Sequence, residues 1–320
     1  MSDHPAHAPT DVLVIASWNA DLVCRVPRPL ARGETLAAHA FEISSGGKGS
    51  NAAVAAARQG ARTAVLARIG DDDFGRMALQ LWTDEGIDHR LVEIAAGERS
   101  GIAQILVYDD GDNSIAVAAG AGLGLGAQQV QAAAGPLAAC RVLLASNEVP
   151  AAATETAFAA ARALPAASRP LTVLNPAPAR ALPDTLLAAC DLLTPNESEV
   201  RVLAGLGEDA PVEQAAQRLL DRGCAAVVVT LGADGCLLLR PDRPPRHWAG
   251  HRVPAVVDTV GAGDTFNGAL CAALARGQAL EDALTLANAA ASLSVQGRGA
   301  LGGMPDRPTA ERWLHSTSAA

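Results

Sequence analysis

The chain has 320 residues, 49% of them hydrophobic and 18% charged, with a net charge of −9. This composition excludes a disordered chain, and the length predicts one large domain with a small appendage. The acidic balance argues against a nucleic-acid surface and leaves small molecules as partners.

Six cysteines (Cys24, Cys140, Cys190, Cys224, Cys236, Cys271) occur without any C-x-x-C pair, most of them in apolar runs. They read as reduced core residues of a cytoplasmic protein. No stretch is apolar and charge-free over the ~18 residues that a membrane span requires, so no membrane partner is expected. The seven histidines form no H-E-x-x-H motif, which gives zinc catalysis no support. Residues 1–10 read as a loose tail, 11–310 as the folded domain and 311–320 as a second tail.

Taken in order, 11–16 is a β-branched apolar run, a buried first strand. Asn19 and Asp21 follow at its C-terminal end, where open α/β sheets bind ligands. Their amide and carboxylate suit vicinal hydroxyls, although Asn and Asp after a strand also serve as plain turn residues. Segments of about 22–45 and 99–118 interrupt the pattern with short alternating runs. The second reads as a β-hairpin, and together they predict a small sheet, either a lid or a pair of surface hairpins.

Ser45-Gly46-Gly47-Lys48-Gly49-Ser50-Asn51 then opens an Ala-rich helix ending near Gly60. It resembles a phosphate loop but is not a Walker A motif, because Gly follows the lysine. Lys48 is the only lysine in the chain, which suggests a place for a compact ammonium where a guanidinium would not fit. Strands at 63–68, 142–145, 171–174, 192–194, 227–230 and 235–239 then alternate with helices at 73–85, 151–163, 197–204, 211–222, 264–276 and 281–295. That order predicts a doubly wound, mostly parallel α/β sheet flanked by helices.

Polar residues close several strands: Asn147-Glu148, Asn175-Pro176 and Thr194-Pro195-Asn196-Glu197-Ser198-Glu199. Asn196 and Glu199, one helical turn apart, could hold a hydrated Mg²⁺ or simply cap their helix. Thr230-Leu231-Gly232-Ala233-Asp234-Gly235 is a nucleotide edge or a hairpin turn. Two matches to the dinucleotide fingerprint, at Gly122 and Gly297, do not stand between the first strand and helix of a βαβ unit, so a Rossmann site is not expected.

The most informative stretch is Asp258-Thr259-Val260-Gly261-Ala262-Gly263-Asp264-Thr265-Phe266-Asn267-Gly268. Its glycines turn the backbone into a helix, so the N–H groups of Gly261, Ala262 and Gly263 would converge on one anion. Asp264 at that point either simply caps the helix or takes a proton from a hydroxyl while the N–H groups hold a transferring phosphoryl group. Downstream, Ser294 to Gly303 ends a helix and runs through four glycines. Its unpaired carbonyls, with Asp258, suit a hard cation.

Six separated motifs, Asn19-x-Asp21, Gly46-Gly47-Lys48-Gly49-x-Asn51, Asn175-Pro-Ala-Pro-Ala179, Thr194-Pro-Asn-Glu197, Thr230-Leu-Gly232 and Gly261 to Gly268, occur in one order. In this the chain resembles the PfkB carbohydrate kinase family over nearly its whole length. The Gly-Gly-Lys-Gly loop with Asn-x-Asp and Glu148 points more narrowly to the ribokinases among them. The resemblance implies a ribokinase-like fold and ATP-dependent phosphorylation of D-ribose at its 5-hydroxyl. Its alternatives are a deoxyribose, fructose or adenosine kinase of the same fold, or a non-catalytic sugar-binding regulator.

It further implies sugar contacts from Asn19, Asp21, Gly47, Lys48, Gly49, Ser50, Asn51 and Glu148, with Asp264 as base. ATP would lie against Asn196, Thr230, Leu231, Gly232, Ala233, Asp234, Gly235, Gly263 and Asn288, with Mg²⁺ placed by Glu199 and Asn196. Potassium or a similar monovalent cation would be held by Asp258, Val260, Ser294, Gly297, Gly299 and Gly303, and the lid sheet would join a homodimer. Two positions depart from the family pattern: Ser50 where Ala is common, and Trp18 where a smaller aliphatic residue is usual.

Overall fold

A computed structural model describes residues 10–317. The first strand, β1 (Val12–Ile15), is fully buried. Its alternation feeds two cores: Val12 and Val14 join one hydrophobic cluster, Leu13 and Ile15 the other. The chain then leaves the main sheet for β2 (Asn19–Arg25) and β3 (Ala40–Gly46). It returns through α1 (Lys48–Arg58), β4 (Thr63–Gly70), α2 (Asp73–Asp84) and β5 (Asp88–Ala95). A hairpin of β6 (Gly101–Val107) and β7 (Asn113–Ala118) completes the small sheet.

The second half runs through α3 (Ala127–Ala132), α4 (Ala134–Ala139), β8 (Val142–Ser146), α5 (Ala151–Ala163), β9 (Leu171–Asn175) and α6 (Asp184–Ala188). It continues with β10 (Leu192–Leu193), α7 (Glu197–Leu203), α8 (Val212–Asp221), β11 (Val227–Thr230), β12 (Cys236–Leu239) and β13 (Arg246–Trp248). Four helices end the described residues: α9 (Ala262–Ala275), α10 (Leu280–Ser294), α11 (Gly299–Gly302) and α12 (Arg307–Thr317).

The large sheet has nine strands in the order β13-β12-β11-β10-β9-β8-β1-β4-β5. Pairings from β5 to β11 are parallel, and the last two strands add antiparallel. Because β1 has β4 on one side and β8 on the other, the sheet order reverses beside it. That is where a doubly wound sheet opens a crevice at its strand C-termini. The doubly wound reading therefore holds.

The small sheet has the order β3-β2-β6-β7, with β2 and β6 parallel. It is the separate appendage read from 22–45 and 99–118, but it begins earlier. Asn19 and Asp21 are strand residues of β2, not turn residues after β1. Asp72 ties this sheet to the main one: its carboxylate accepts from Gly75 N–H at 2.9 Å, Ser100 N–H at 2.9 Å and the Ser100 hydroxyl at 2.7 Å. One group thus caps α2 and anchors the entry to β6.

Two strands, β5 and β13, were not foreseen. Both lie at sheet edges, where charged residues such as Arg90, Glu93 and Arg246 interrupt the apolar pattern. The expected tail from 311 is instead the body of α12, while residues 1–9 and 318–320 fall outside the described residues. All six cysteines are free, and five are buried.

Candidate active site

The site forms where β1, β8 and β9 end and where α1 and α9 begin. Gly261 is the N-cap of α9 with φ of 79°. A Cβ there would stand 2.5 Å from the Ala300 carbonyl oxygen, so glycine is required both by conformation and by space. Thr265 N–H closes the first helical bond on Gly261 O at 2.8 Å. Ala262 N–H lies 3.3 Å from Thr259 O, a long turn contact. Gly261 and Gly263 stand at the cap and in the first turn of α9, where N–H groups have no intrahelical partner.

Asp264 lies in the first turn of α9 and is 7% exposed. Burial pushes its carboxyl up to about 6, against the pull of the Lys48 ammonium and the Asn51 amide; Glu148 and Glu199 push it further up. Asn51 Nδ2 donates to Asp264 Oδ2 at 2.8 Å, which leaves Oδ1 outside that bond. Asn51 gets there because α1 and α9 cross closely: a Cβ on Gly268 would collide with Ala52 O and Ala55 of α1.

Lys48 opens α1, and its N–H donates to Glu148 Oε2 at 2.8 Å. Burial alone would lower the lysine pKa, but the carboxylates of Asp264, Glu148 and Glu199 outweigh it and the net shift is upward. The ammonium therefore stays charged. The same Glu148 oxygen accepts from the Ser17 hydroxyl at 2.6 Å, and Ser17 Oγ accepts from Gly49 N–H at 3.2 Å. Ser17 had no assigned role in the sequence; only the meeting of β1, β8 and α1 shows that it orients Glu148.

Asp21 lies over Gly46, and its carboxyl is also pushed up to about 6, by burial first and then by Glu148 and Asp264. Asn19, 7% exposed, opens β2 on the same side of the lid sheet. Beside them a cavity of about 220 Å³ is lined by Ser17, Trp18, Asn19, Glu148, the lid residue Val117 and Pro178, among others. The structure thus brings Asn19, Asp21, Lys48, Asn51, Glu148 and Asp264 together. Ser50 is not with them. Its hydroxyl is fully buried and accepts from Trp82 Nε1 at 3.0 Å, so it packs α1 against α2 and does not face the sugar.

The residues expected to meet the nucleotide lie along the same edge. An isolated bridge pairs Asn196 with Thr230, and Thr230 N–H donates to Pro195 O at 2.9 Å. Thr230 to Gly235 is both a hairpin turn between β11 and β12 and an edge beside the site. Asn288 is buried, and its amide donates to Ala249 O at 2.6 Å, so it holds the 249–250 segment over Ala233.

For Mg²⁺ the residues fit in part. Asn196 Oδ1 accepts from Glu199 N–H at 2.8 Å, and Glu199 Oε2 accepts from Asn196 N–H at 2.9 Å, a closed capping box. Asn196 is therefore committed to its helix, whereas Glu199 keeps its other carboxylate oxygen. No cluster of three or more His, Cys, Asp or Glu exists among the described residues. Mg²⁺ bound with nucleotide phosphates needs only one or two protein carboxylates, so Glu199 suffices.

The loop before α9 is fastened to the one after α10. Asp258 accepts from Val260 N–H at 3.0 Å and Gly299 N–H at 2.9 Å, and Val257 and Asp258 N–H both donate to Val295 O. Ser294 O touches Gly303 and accepts from Gly297 N–H at 3.3 Å. One carboxylate and backbone carbonyls, with no nitrogen or sulfur ligand, fit a hard cation.

A buried carboxylate and a charged amine at a helix N-terminus, in the crevice of a doubly wound sheet, define a phosphotransferase acting on a hydroxyl. Residues 9–307 match the sequence profile of the pfkB family carbohydrate kinases. The chain belongs to that family. It is 38% identical to a ribokinase of Haemophilus influenzae, covering 92% of this chain and 95% of that one. It is also 35% identical to a deoxyribokinase of Salmonella typhi, covering 92% and 95%. A solved structure of Arabidopsis thaliana ribokinase complexed with ribose and ATP superposes with a TM-score of 0.88 at 29% identity, covering 96% of this chain and 99% of that one.

Proposed function

We propose that the protein transfers the γ-phosphoryl group of ATP to the 5-hydroxyl of D-ribose. The observation that carries the reading is Asp264, buried at the N-terminus of α9 with one oxygen held by Asn51 and the other outside that bond. The ribokinase relative and the ribose-bound neighbour support the choice of sugar.

In the reaction the sugar oxygen forms a bond to the γ-phosphorus as the bond from phosphorus to the ADP oxygen breaks. The hydroxyl proton passes to Asp264 Oδ1. Gly261 and Gly263 N–H and the Lys48 ammonium face the charge carried by the moving phosphoryl group. Asn19, Asp21 and Glu148 hold the sugar hydroxyls, Glu148 being oriented by Ser17 and by Lys48 N–H. ATP lies along Asn196 and Thr230 to Gly235. Mg²⁺, when held by Glu199 and the phosphates, neutralises phosphate charge. A monovalent cation such as potassium, when held by Asp258 and the carbonyls from Val260 and Ser294 to Gly303, steadies the loop that carries the anion hole.

We place the reaction in the cytoplasm, which the free, mostly buried thiols support. The lid sheet joins two copies: Phe41 and Ile43 of β3 are 59% and 47% exposed on one of its faces, Ile115 and Val117 of β7 57% and 61% on the other.

A second reading, 2-deoxyribose as the acceptor, is favoured by the deoxyribokinase relative, matched nearly as well. A coupled assay of ATP consumption with ribose, 2-deoxyribose, fructose and adenosine tests both. The highest kcat/KM is expected with ribose; a higher value with another acceptor would replace ribose in this reading.

A further inference from the structure

The sugar site continues beyond the residues that hold the reacting end. The cavity of about 220 Å³ includes Asn19 and Glu148 in its wall but not Asp264, Lys48 or Asn51. It therefore takes the part of the substrate remote from the transferred phosphoryl group. Two buried polar atoms of its lining residues have no hydrogen-bond partner: Trp18 Nε1 and Asn147 Oδ1. Trp18 is 5% exposed and Asn147 4%. Each stands one position before a sugar-site residue, Trp18 before Asn19 and Asn147 before Glu148. Asn147 Nδ2 donates to Pro178 O at 3.2 Å, which fixes the amide and turns its oxygen elsewhere.

Native proteins seldom leave buried donors and acceptors unpaired, because each costs stability. Here one donor and one acceptor, both buried, belong to residues that line the same cavity, each beside a residue proposed to hold the sugar. We propose that Trp18 and Asn147 form a hydroxyl-reading pair for the far end of the acceptor: the indole N–H donates to it and the amide oxygen accepts from it. Small side-chain adjustments of the kind common on binding bring the atoms to the ligand. The inference rests on the ribose reading above. With the 5-hydroxyl at Asp264, the far end of the sugar carries the anomeric hydroxyl, so the pair makes the enzyme select sugars that bear it. An aliphatic residue at position 18 could not supply that donor.

The test is calorimetric binding of ribose and of 1-deoxy-D-ribose, which lacks only the anomeric hydroxyl, to wild type, W18F and N147A. Wild type is expected to prefer ribose by roughly 3–10-fold, the scale of one or two neutral hydrogen bonds. W18F keeps an aromatic ring and loses the N–H, so its preference should fall toward equality, as should that of N147A. ATP affinity, unchanged in each variant, reports that the fold is intact, and either variant alone suffices for the comparison. A wild type that binds ribose without preference, or folded variants that keep the wild-type ratio, would overturn the inference while leaving the ribose reading in place. A wild type that binds neither sugar would overturn the ribose reading and this inference with it.

Discussion

Asp264 is placed where a carboxylate is costly and useful at once. Its pKa in the folded chain is raised from 3.8 to about 6, chiefly by burial. The folded state therefore binds this proton more tightly than the unfolded state does. The resulting destabilisation is absent below pH ~4, grows as pH rises toward 6, and reaches on the order of 2–3 kcal/mol above it. D264N should accordingly raise Tm at pH 7.5 and leave it nearly unchanged at pH 4, while cutting turnover by ~10²–10⁴. Thermal unfolding at the two pH values and a turnover assay check both halves; a Tm gain at pH 4 equal to that at pH 7.5 would remove the ionisation from the explanation. Wild-type turnover should rise with pH through about 6, because only the ionised carboxylate accepts a proton. This residue was legible in the sequence because its neighbours Gly261 and Gly263 and the helix after it are local. Ser50 was not: its partner Trp82 lies 32 positions away and meets it only once α1 and α2 pack.

At the level of elements, the crossing of α1 and α9 sets the distance between Asn51 and Asp264. Gly268 lets the helices approach, since a methyl there would meet the α1 backbone. G268A should push the helices apart, lower Tm and reduce turnover by more than it weakens ATP binding, as checked by melting and calorimetry; unchanged turnover would detach the crossing from the chemistry. The loop joined by Asp258 to Gly299 makes a second prediction. Turnover should be higher in potassium than in a bulky organic cation at matched ionic strength, and D258A should lose that difference. Equal wild-type turnover in both salts would sink the cation site. The alternating strands and helices were readable from periodicity, and so was the lid hairpin. The parallel pairing of β2 with β6 was not, because some 80 residues separate them and no local signal links them. Nor was α12, whose charged residues look like a tail until Trp313 is seen packed against a core.

Across the whole molecule, the nine-stranded sheet separates two cores, and the small separate sheet has apolar side chains uncovered on both faces. Exposed apolar surface of that kind marks interaction sites, and in the proposed homodimer a second copy would cover it. Wild type should sediment as a dimer and F41E as a monomer in analytical ultracentrifugation; a monomeric wild type would return the lid face to solvent. The crevice where the sheet order reverses then gathers residues from the lid, α1, β8 and α9 into one site, and the claim that joins them is phosphoryl transfer to a sugar hydroxyl with Asp264 as the base. Phosphorus NMR of the product made from ATP and ribose tests it most directly. Wild type should yield ADP and one new phosphomonoester signal split by the two protons on carbon 5, and D264N should yield almost none. A wild-type product phosphorylated at another carbon, or a D264N enzyme that forms the same product at a near-normal rate, would contradict the account.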